Sequence, residues 1–173
     1  LAEYLQSSTP RTFAVLVRQV DLGRWLTKQG IKGDWLTELD QYFAKHFPAR
    51  MDSPWLGSED GFRSLKQAYD AVESLLSEIR GNDRPLVDWS KPLWELVLAI
   101  YGKDDLDQSN SEDATLLRIC SSIYELLQLQ QTIPPVLAPS VSASQAIHIF
   151  LNQIRSQTIP SPPDANAIEM LGW

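Results

Sequence analysis

Apolar residues recur at helical spacing within the first 30 residues. Four of them follow Pro10 at intervals of one or three positions: Phe13, Leu16, Val17 and Val20. Asp21 can cap a following turn that Gly30 closes. That turn carries a second apolar set: Leu22, Trp25 and Leu26. The spacing therefore predicts two short helices or one bent helix.

Two longer helices are predicted between residues 34 and 81. The first begins near Asp34 and ends at Pro48, because proline cannot continue a helix. Its apolar face consists of Leu36, Leu39, Tyr42, Phe43 and Phe47. The second runs from Ser58 to Arg80, with Gly81 as its stop, and one apolar stripe follows it throughout. That stripe consists of Phe62, Leu65, Tyr69, Val72, Leu75, Leu76 and Ile79.

Three further helices are predicted in the second half of the chain. Ser90 and Pro92 begin one that is apolar on most sides, which predicts the central, most buried element of the fold. The next follows the acidic stretch 103–113, and its apolar face consists of Leu116, Cys120, Ile123, Leu126 and Leu127. Ser142 and Gln145 form a capping-box pattern before the last helix. The face of that helix consists of Ile147, Phe150, Leu151 and Ile154.

These elements predict an all-α fold, an irregular bundle of six or seven helices. The helical domain is predicted to span residues 1–158, with residues 1–30 either part of the same body or a distinct lobe docked on it. Extended structure is predicted only within residues 159–173, where a proline-rich linker precedes Ala167-Ile168-Glu169-Met170-Leu171. A lone strand cannot satisfy its backbone groups, so this end is either a strand that lacks its partner sheet or a disordered tail.

Composition agrees with a folded helical domain. The chain has 173 residues, of which 43% are apolar, and its six tryptophans favour a sizeable core. It has one cysteine, Cys120, so an internal disulfide is excluded and a reducing compartment is favoured. No apolar run is long enough to span a bilayer, and the N-terminus does not resemble a signal peptide. We therefore expect a soluble, cytoplasmic chain with no membrane partner.

Charge is spread unevenly, which bears on nucleic-acid binding. The net charge is −7, yet residues 1–50 carry seven Lys/Arg against five Asp/Glu. The rest of the chain would repel a phosphate backbone, so broad electrostatic DNA binding is not expected. A local basic face remains as a candidate contact for DNA or for a partner: Arg11, Arg18, Arg24, Lys28 and Lys32. The competing interpretation is a solvated helix face without a ligand.

Motifs for catalysis, metals or cofactors are missing from the sequence. It contains no glycine-rich phosphate loop, no cysteine pair for zinc and no nucleophile elbow. The acidic stretch 103–113 lacks the glycine turn and terminal glutamate of a calcium loop. His46, His148 and Cys120 are better explained as structural residues than as catalytic groups. We therefore expect no catalytic residue, no metal site and no cofactor.

Two weaker patterns have structural explanations. Glu73 could pair with Asp70 or Glu78 for acid–base chemistry, but all three are expected on the solvated side of their helix. Five tryptophans could stack on nucleic-acid bases, although aliphatic neighbours favour packing in the core. These five are Trp25, Trp35, Trp55, Trp89 and Trp94.

Two short segments resemble a known family. The ending Ala167-Ile168-Glu169-Met170-Leu171-Gly172-Trp173 follows a proline-rich linker and stops as a strand begins. Upstream, Phe13-Ala14-Val15-Leu16-Val17-Arg18 precedes Asp21-Leu22-Gly23-Arg24-Trp25-Leu26. Both resemble segments of AddB-type bacterial helicase–nucleases, which belong to the PD-(D/E)XK nuclease family. The missing initiator methionine and the unfinished strand lead us to expect a piece of a longer protein.

This resemblance implies a role without chemistry. It corresponds to the helical, 2B-type insertion of a superfamily 1 helicase-like motor, from a protein of DNA repair or recombination. The family's nuclease carboxylates and nucleotide-binding residues have no counterpart in this chain. The implied partners are the RecA-like motor domain of the parent chain, and DNA or a helicase partner subunit. The alternative function is a stand-alone interaction module, in which an apolar groove between helices receives a partner helix.

Overall fold

The computed structural model of this chain describes residues 1–51, 54–102 and 106–155. Within these ranges the fold is all-α, as predicted, apart from one small two-stranded sheet. The eight helices are α1 (Ala2–Ser7), α2 (Pro10–Val17), α3 (Val20–Lys28), α4 (Trp35–His46), α5 (Arg63–Leu76), α6 (Ser90–Tyr101), α7 (Ser111–Gln131) and α8 (Ala143–Arg155). The predicted linker and strand in residues 159–173 lie outside the described residues.

Local sequence explains where several of the helices begin. Thr9 caps α2 by accepting a hydrogen bond from the Thr12 amide at 3.3 Å, and Pro10 occupies the first turn. Asp34 caps α4 in the same way through the amide of Thr37 at 3.0 Å. Residues 10–30 form two helices rather than one bent helix, and the helix predicted over 58–80 is α5 flanked by 3-10 turns at Glu59–Phe62 and Ser77–Ile79.

The small sheet contradicts the prediction that extended structure occurs only at the C-terminal end. Strand β1 (Arg84–Pro85) pairs antiparallel with β2 (Ser140–Val141), and Arg84 lies opposite Val141. This sheet joins the segment before α6 to the segment before α8. Two residues are too few to produce an alternating apolar pattern, so the pairing leaves no signal in the sequence.

All eight helices contribute to one apolar core. The largest fully buried apolar side chains are Trp89, Tyr4, Phe13, Leu26, Leu39, Leu65, Leu76, Ile79 and Val72. Residues of the first 30 pack on later elements, since the ring of Phe13 lies 5.6 Å from that of Tyr69 on α5. Helix α1, which the sequence analysis missed, contributes the buried Tyr4.

Helix α6 is less buried than its composition predicts. It was expected to be the central element, but only Ser90 and Leu93 are buried in it, and Leu98 is 45% exposed. Helix α5 buries one face in the core instead, where Leu65, Ala68 and Val72 are fully enclosed. One side of α6 is therefore apolar and open to solvent.

Candidate functional site

The open side of α6 faces α7 across a groove. We call this the α6–α7 groove, and it has a volume of about 610 Å³. Its lining is Trp94, Val97, Leu98, Tyr101, Gly102, Leu106, Gln108, Leu117, Cys120, Ser121, Tyr124 and Glu125. Most of these side chains are apolar, so the groove suits an apolar ligand surface.

The two helices of the groove run as an antiparallel pair. Trp94 near the start of α6 packs on Tyr124 in the second half of α7, with ring centroids 5.0 Å apart. At the other end, Tyr101 of α6 and Leu116 near the start of α7 line one small pocket. The packing of Trp94 on Tyr124 supports one end of the groove and leaves about half of the Tyr124 side chain in contact with solvent.

Cys120 is the single cysteine of the chain and lines this groove. Its side chain is half-buried, and burial raises the pKa of the thiol. A thiol with a raised pKa is a poor nucleophile at neutral pH, which agrees with the structural interpretation from the sequence.

The five candidate basic residues have different surroundings. Arg18 makes an ion pair with Asp40 at 2.6 Å, and Arg24 lies 3.7 Å from Asp21. Arg24 and Lys28 line a small pocket beside the end of the groove, together with Asp113. Arg11, at the start of α2, and Lys32, after α3, are exposed. The structure thus brings Arg24 and Lys28 together and supplies acidic neighbours that sequence spacing did not reveal.

Glu73 does not lie on the solvated side of its helix, contrary to the sequence prediction. Its carboxylate accepts a hydrogen bond from the hydroxyl of Tyr4 at 2.5 Å and another from Arg80 at 2.8 Å. The Arg80 guanidinium also lies 5.2 Å from the centre of the Tyr4 ring. These contacts tie α1 to the end of α5, so Glu73 serves the fold and is not part of a carboxylate pair.

The contacts among Tyr4, Glu73 and Arg80 predict that the stability of the fold decreases at alkaline pH. Burial, and then the hydrogen bond to Glu73, raise the pKa of Tyr4. The folded state therefore keeps the phenol of Tyr4 protonated. The stability that this phenol contributes is lost as the pH rises above about 10, the pKa of tyrosine in the unfolded chain. We expect Tyr4→Phe to be less stable than the wild type at about pH 8, with the difference narrowing by about pH 11. Urea denaturation at both pH values measures this.

The control for this prediction is Tyr124→Phe. Tyr124 is 43% exposed in the groove, so its replacement should change the free energy of unfolding little at either pH. A stability difference between wild type and Tyr4→Phe that stays constant or grows with pH would contradict the assignment.

The histidines and tryptophans have mostly structural surroundings. His46 ends α4, and its ring packs on Tyr42 at 5.0 Å and on Phe62 at 5.9 Å. Trp25 and Trp89 are buried, as core packing predicts, whereas Trp94 lines the groove. Among the residues described, no group of three His, Cys, Asp or Glu side chains is placed to hold a metal ion.

Comparison with known proteins gives no further assignment. None of the family models, curated proteins or solved structures compared with the chain matches it. In the described part of the chain, no helix combines the length and apolarity that crossing a bilayer requires.

Proposed function

We propose that this chain is a non-catalytic helical accessory domain that binds a partner segment in the α6–α7 groove. The observation that supports this proposal is the groove itself, an apolar channel about 610 Å³ in volume between two helices. Exposed Leu98 and Tyr124 border it. Apolar channels between helices are a common site for the apolar face of a partner helix.

The parent protein is proposed from the family resemblance. The segments 13–18 and 21–26 lie on α2 and α3, apart from Arg18, which directly follows α2. Their apolar residues other than the exposed Val15 belong to the core or pack against it. In an AddB-type helicase–nuclease, the partner segment would come from the RecA-like motor domain of the same chain or from a partner subunit. The accessory domain would then position that partner without taking part in nucleotide or phosphodiester chemistry.

Peptide binding tests the groove. The probe is a fluorescein-labelled synthetic helix with a leucine stripe, followed by anisotropy with the 173-residue chain. We expect binding with a dissociation constant of about 10 µM, because the apolar surface is modest in area. Leu98→Asp should raise that constant at least about tenfold, since it places a charge on the apolar wall.

Leu151→Asp is the matched control for that substitution. Leu151 lies on α8 and is 41% exposed, close to the 45% of Leu98, but it does not line the groove. This variant should bind the peptide like the wild type. Equal loss of binding in both variants, or no binding by any leucine-stripe peptide, would refute the groove as a docking site.

DNA contact through the basic residues is the second candidate function. It is favoured by the placement of all five side chains in the first 32 residues, where positive charge is in excess. Four of the five are on or directly beside α2 and α3. Because Arg18 and Arg24 already have acidic neighbours, we expect weak binding that is detectable only at low salt.

A variant with five substitutions tests DNA contact as the second candidate function. Arg11, Arg18, Arg24, Lys28 and Lys32 are all replaced by Gln, and binding of labelled single-stranded DNA is measured over a salt series. We expect the variant to lose DNA binding. Each phosphate contact that is lost should reduce the slope of the log binding constant against log salt concentration by about 0.7. DNA binding that survives in the variant, or its absence in the wild type at every salt concentration, would remove this candidate.

A further inference from the structure

The α6–α7 groove is about as long as the apolar stripe on a helix of two turns. One wall is formed by Trp94, Leu98 and Tyr101 on α6, and the other by Leu117, Cys120 and Tyr124 on α7. The eight residues from Trp94 to Tyr101 span about 10 Å along the helix axis, or about two turns. A partner helix with apolar residues at positions i, i+4 and i+7 presents a stripe of that length.

Helix α7 has the composition of a helix that is covered on several sides. Its first half carries Leu116, Leu117, Ile119 and Cys120, which point in different directions around the axis. All of residues 113–120 are only half-buried, and full burial begins at Leu126. A helix that is apolar all round is normally enclosed, so this half of α7 has apolar surface left for a partner.

The charge around the groove is acidic. Among the described residues that line it, the one charged side chain is Glu125, at the end formed by Trp94 and Tyr124. The described residues of this part of the chain, 90–102 and 106–125, contain five Asp/Glu and two Lys/Arg. At the loop end, the amide of Asp107 donates a hydrogen bond to Asp113 at 3.0 Å. Hydrogen bonds from Ser109 lower the pKa of Asp107, so its charge is retained.

Two cationic side chains lie beside one end of the groove. Arg24 and Lys28 line the small pocket that shares Tyr101 and Leu106 with the groove. They offset the acidic residues at that end, where Asp21 and Asp113 are also present. Glu125, the charged residue of the groove lining, is at the opposite end and outside that pocket.

We propose that the occupant of the α6–α7 groove is an amphipathic helix from a partner protein, with Lys or Arg beside its apolar stripe at the end nearest Glu125. This inference rests on the proposed docking function and adds the chemistry of the partner. Cationic side chains complement the acidic rim and raise the rate and the specificity of association.

Charge also argues against the C-terminal segment of this chain as the occupant. Residues 156–173 contain Asp164 and Glu169 and no Lys or Arg. Such a segment would bring further negative charge to an acidic rim. A second copy of the chain is the other competing occupant, and it predicts a dimer that dissociates when the groove is altered.

Three synthetic peptides test the proposal with the 173-residue chain. They share one leucine stripe and differ only in the flanking residues, which are Lys, Gln or Glu. We expect the Lys peptide to bind about tenfold more tightly than the Glu peptide at low salt, with the difference shrinking at high salt. Glu125→Lys should reduce or reverse this preference, whereas Glu78→Lys, an exposed glutamate outside the lining, should preserve it.

The outcomes separate the two proposals. Equal binding of all three peptides, lost in Leu98→Asp, would overturn the basic partner and keep the docking function. No binding of any peptide would overturn both. A wild-type dimer in light scattering that becomes monomeric in Leu98→Asp would identify a second copy as the occupant and overturn the proposed partner.

Discussion

Replacing Trp89 with alanine is expected to lower the free energy of unfolding by about 4 kcal/mol, which is typical of replacing a buried aromatic residue with alanine. Trp89 is fully buried, and its indole N–H donates a hydrogen bond to the carbonyl of Val141 at 3.0 Å. The guanidinium of Arg84 lies 3.8 Å from the centre of its ring. The substitution therefore removes packing, a hydrogen bond and a cation–π contact beside the β1–β2 pair. Urea denaturation followed by far-UV circular dichroism measures the loss.

Two variants separate these contributions. Trp89→Phe keeps an aromatic ring but leaves the Val141 carbonyl without its donor, and should cost about 1–3 kcal/mol. Trp94→Ala removes a tryptophan that is half-exposed in the groove, and should cost less than Trp89→Ala. If Trp89→Ala were no more destabilising than Trp94→Ala, the account of the core around the small sheet would be wrong.

Replacing Phe13 with alanine is the second large effect, at about 4 kcal/mol. Phe13 is fully buried, and its ring lies 5.4 Å from Tyr4 and 5.6 Å from Tyr69. Because these three rings join α1 and α2 to α5, the cavity should destabilise the whole body. We expect a single unfolding transition at lower urea concentration, with fluorescence and circular dichroism giving the same midpoint.

This variant also tests the lobe predicted over residues 1–30. An independent lobe would unfold separately, and the two probes would then give different midpoints. Val15→Ala is the matched control, because Val15 lies on the same helix with 53% of its side chain exposed. It should change the free energy of unfolding by less than about 0.5 kcal/mol.

Helical periodicity predicted much of the fold because most of its contacts are made by one face of each helix. The stripe from Phe62 to Ile79 is buried as expected at Leu65, Val72 and Leu76. The capping box of Ser142 and Gln145 is also present, with hydrogen bonds of 2.9 Å and 3.3 Å. Local signals of this kind need no knowledge of distant partners.

Pairings between distant segments could not be predicted in this way. The β1–β2 sheet joins residues that are far apart along the chain, and each strand has only two residues. Val20 matches the apolar spacing of α2 but belongs to α3 and is 67% exposed. The ion pair of Arg18 with Asp40 likewise depends on how α2 packs against α4.

The sequence predicted a large apolar surface on α6, but it could not predict that a groove lies beside it. The apolar surface of α6 indicated burial, and it could not distinguish a helix covered by its own chain from one that awaits a partner. Trp94, Leu98 and Tyr101 are part of this apolar surface, and they form one wall of the groove. The excess of Asp and Glu around the groove could be predicted from the sequence only once α6 and α7 were known to be neighbours.

Alkylation of Cys120 tests the docking proposal most directly. This residue is the single cysteine and lies in the lining of the α6–α7 groove, so its reaction rate reports on occupancy at one defined position. At about pH 8.5, where more of the thiol is ionised, a saturating concentration of the Lys-flanked peptide should slow the reaction with iodoacetamide at least about fivefold. The Leu98→Asp variant should show no such protection. An unchanged rate for the wild-type chain with bound peptide would place the peptide elsewhere and contradict the proposal.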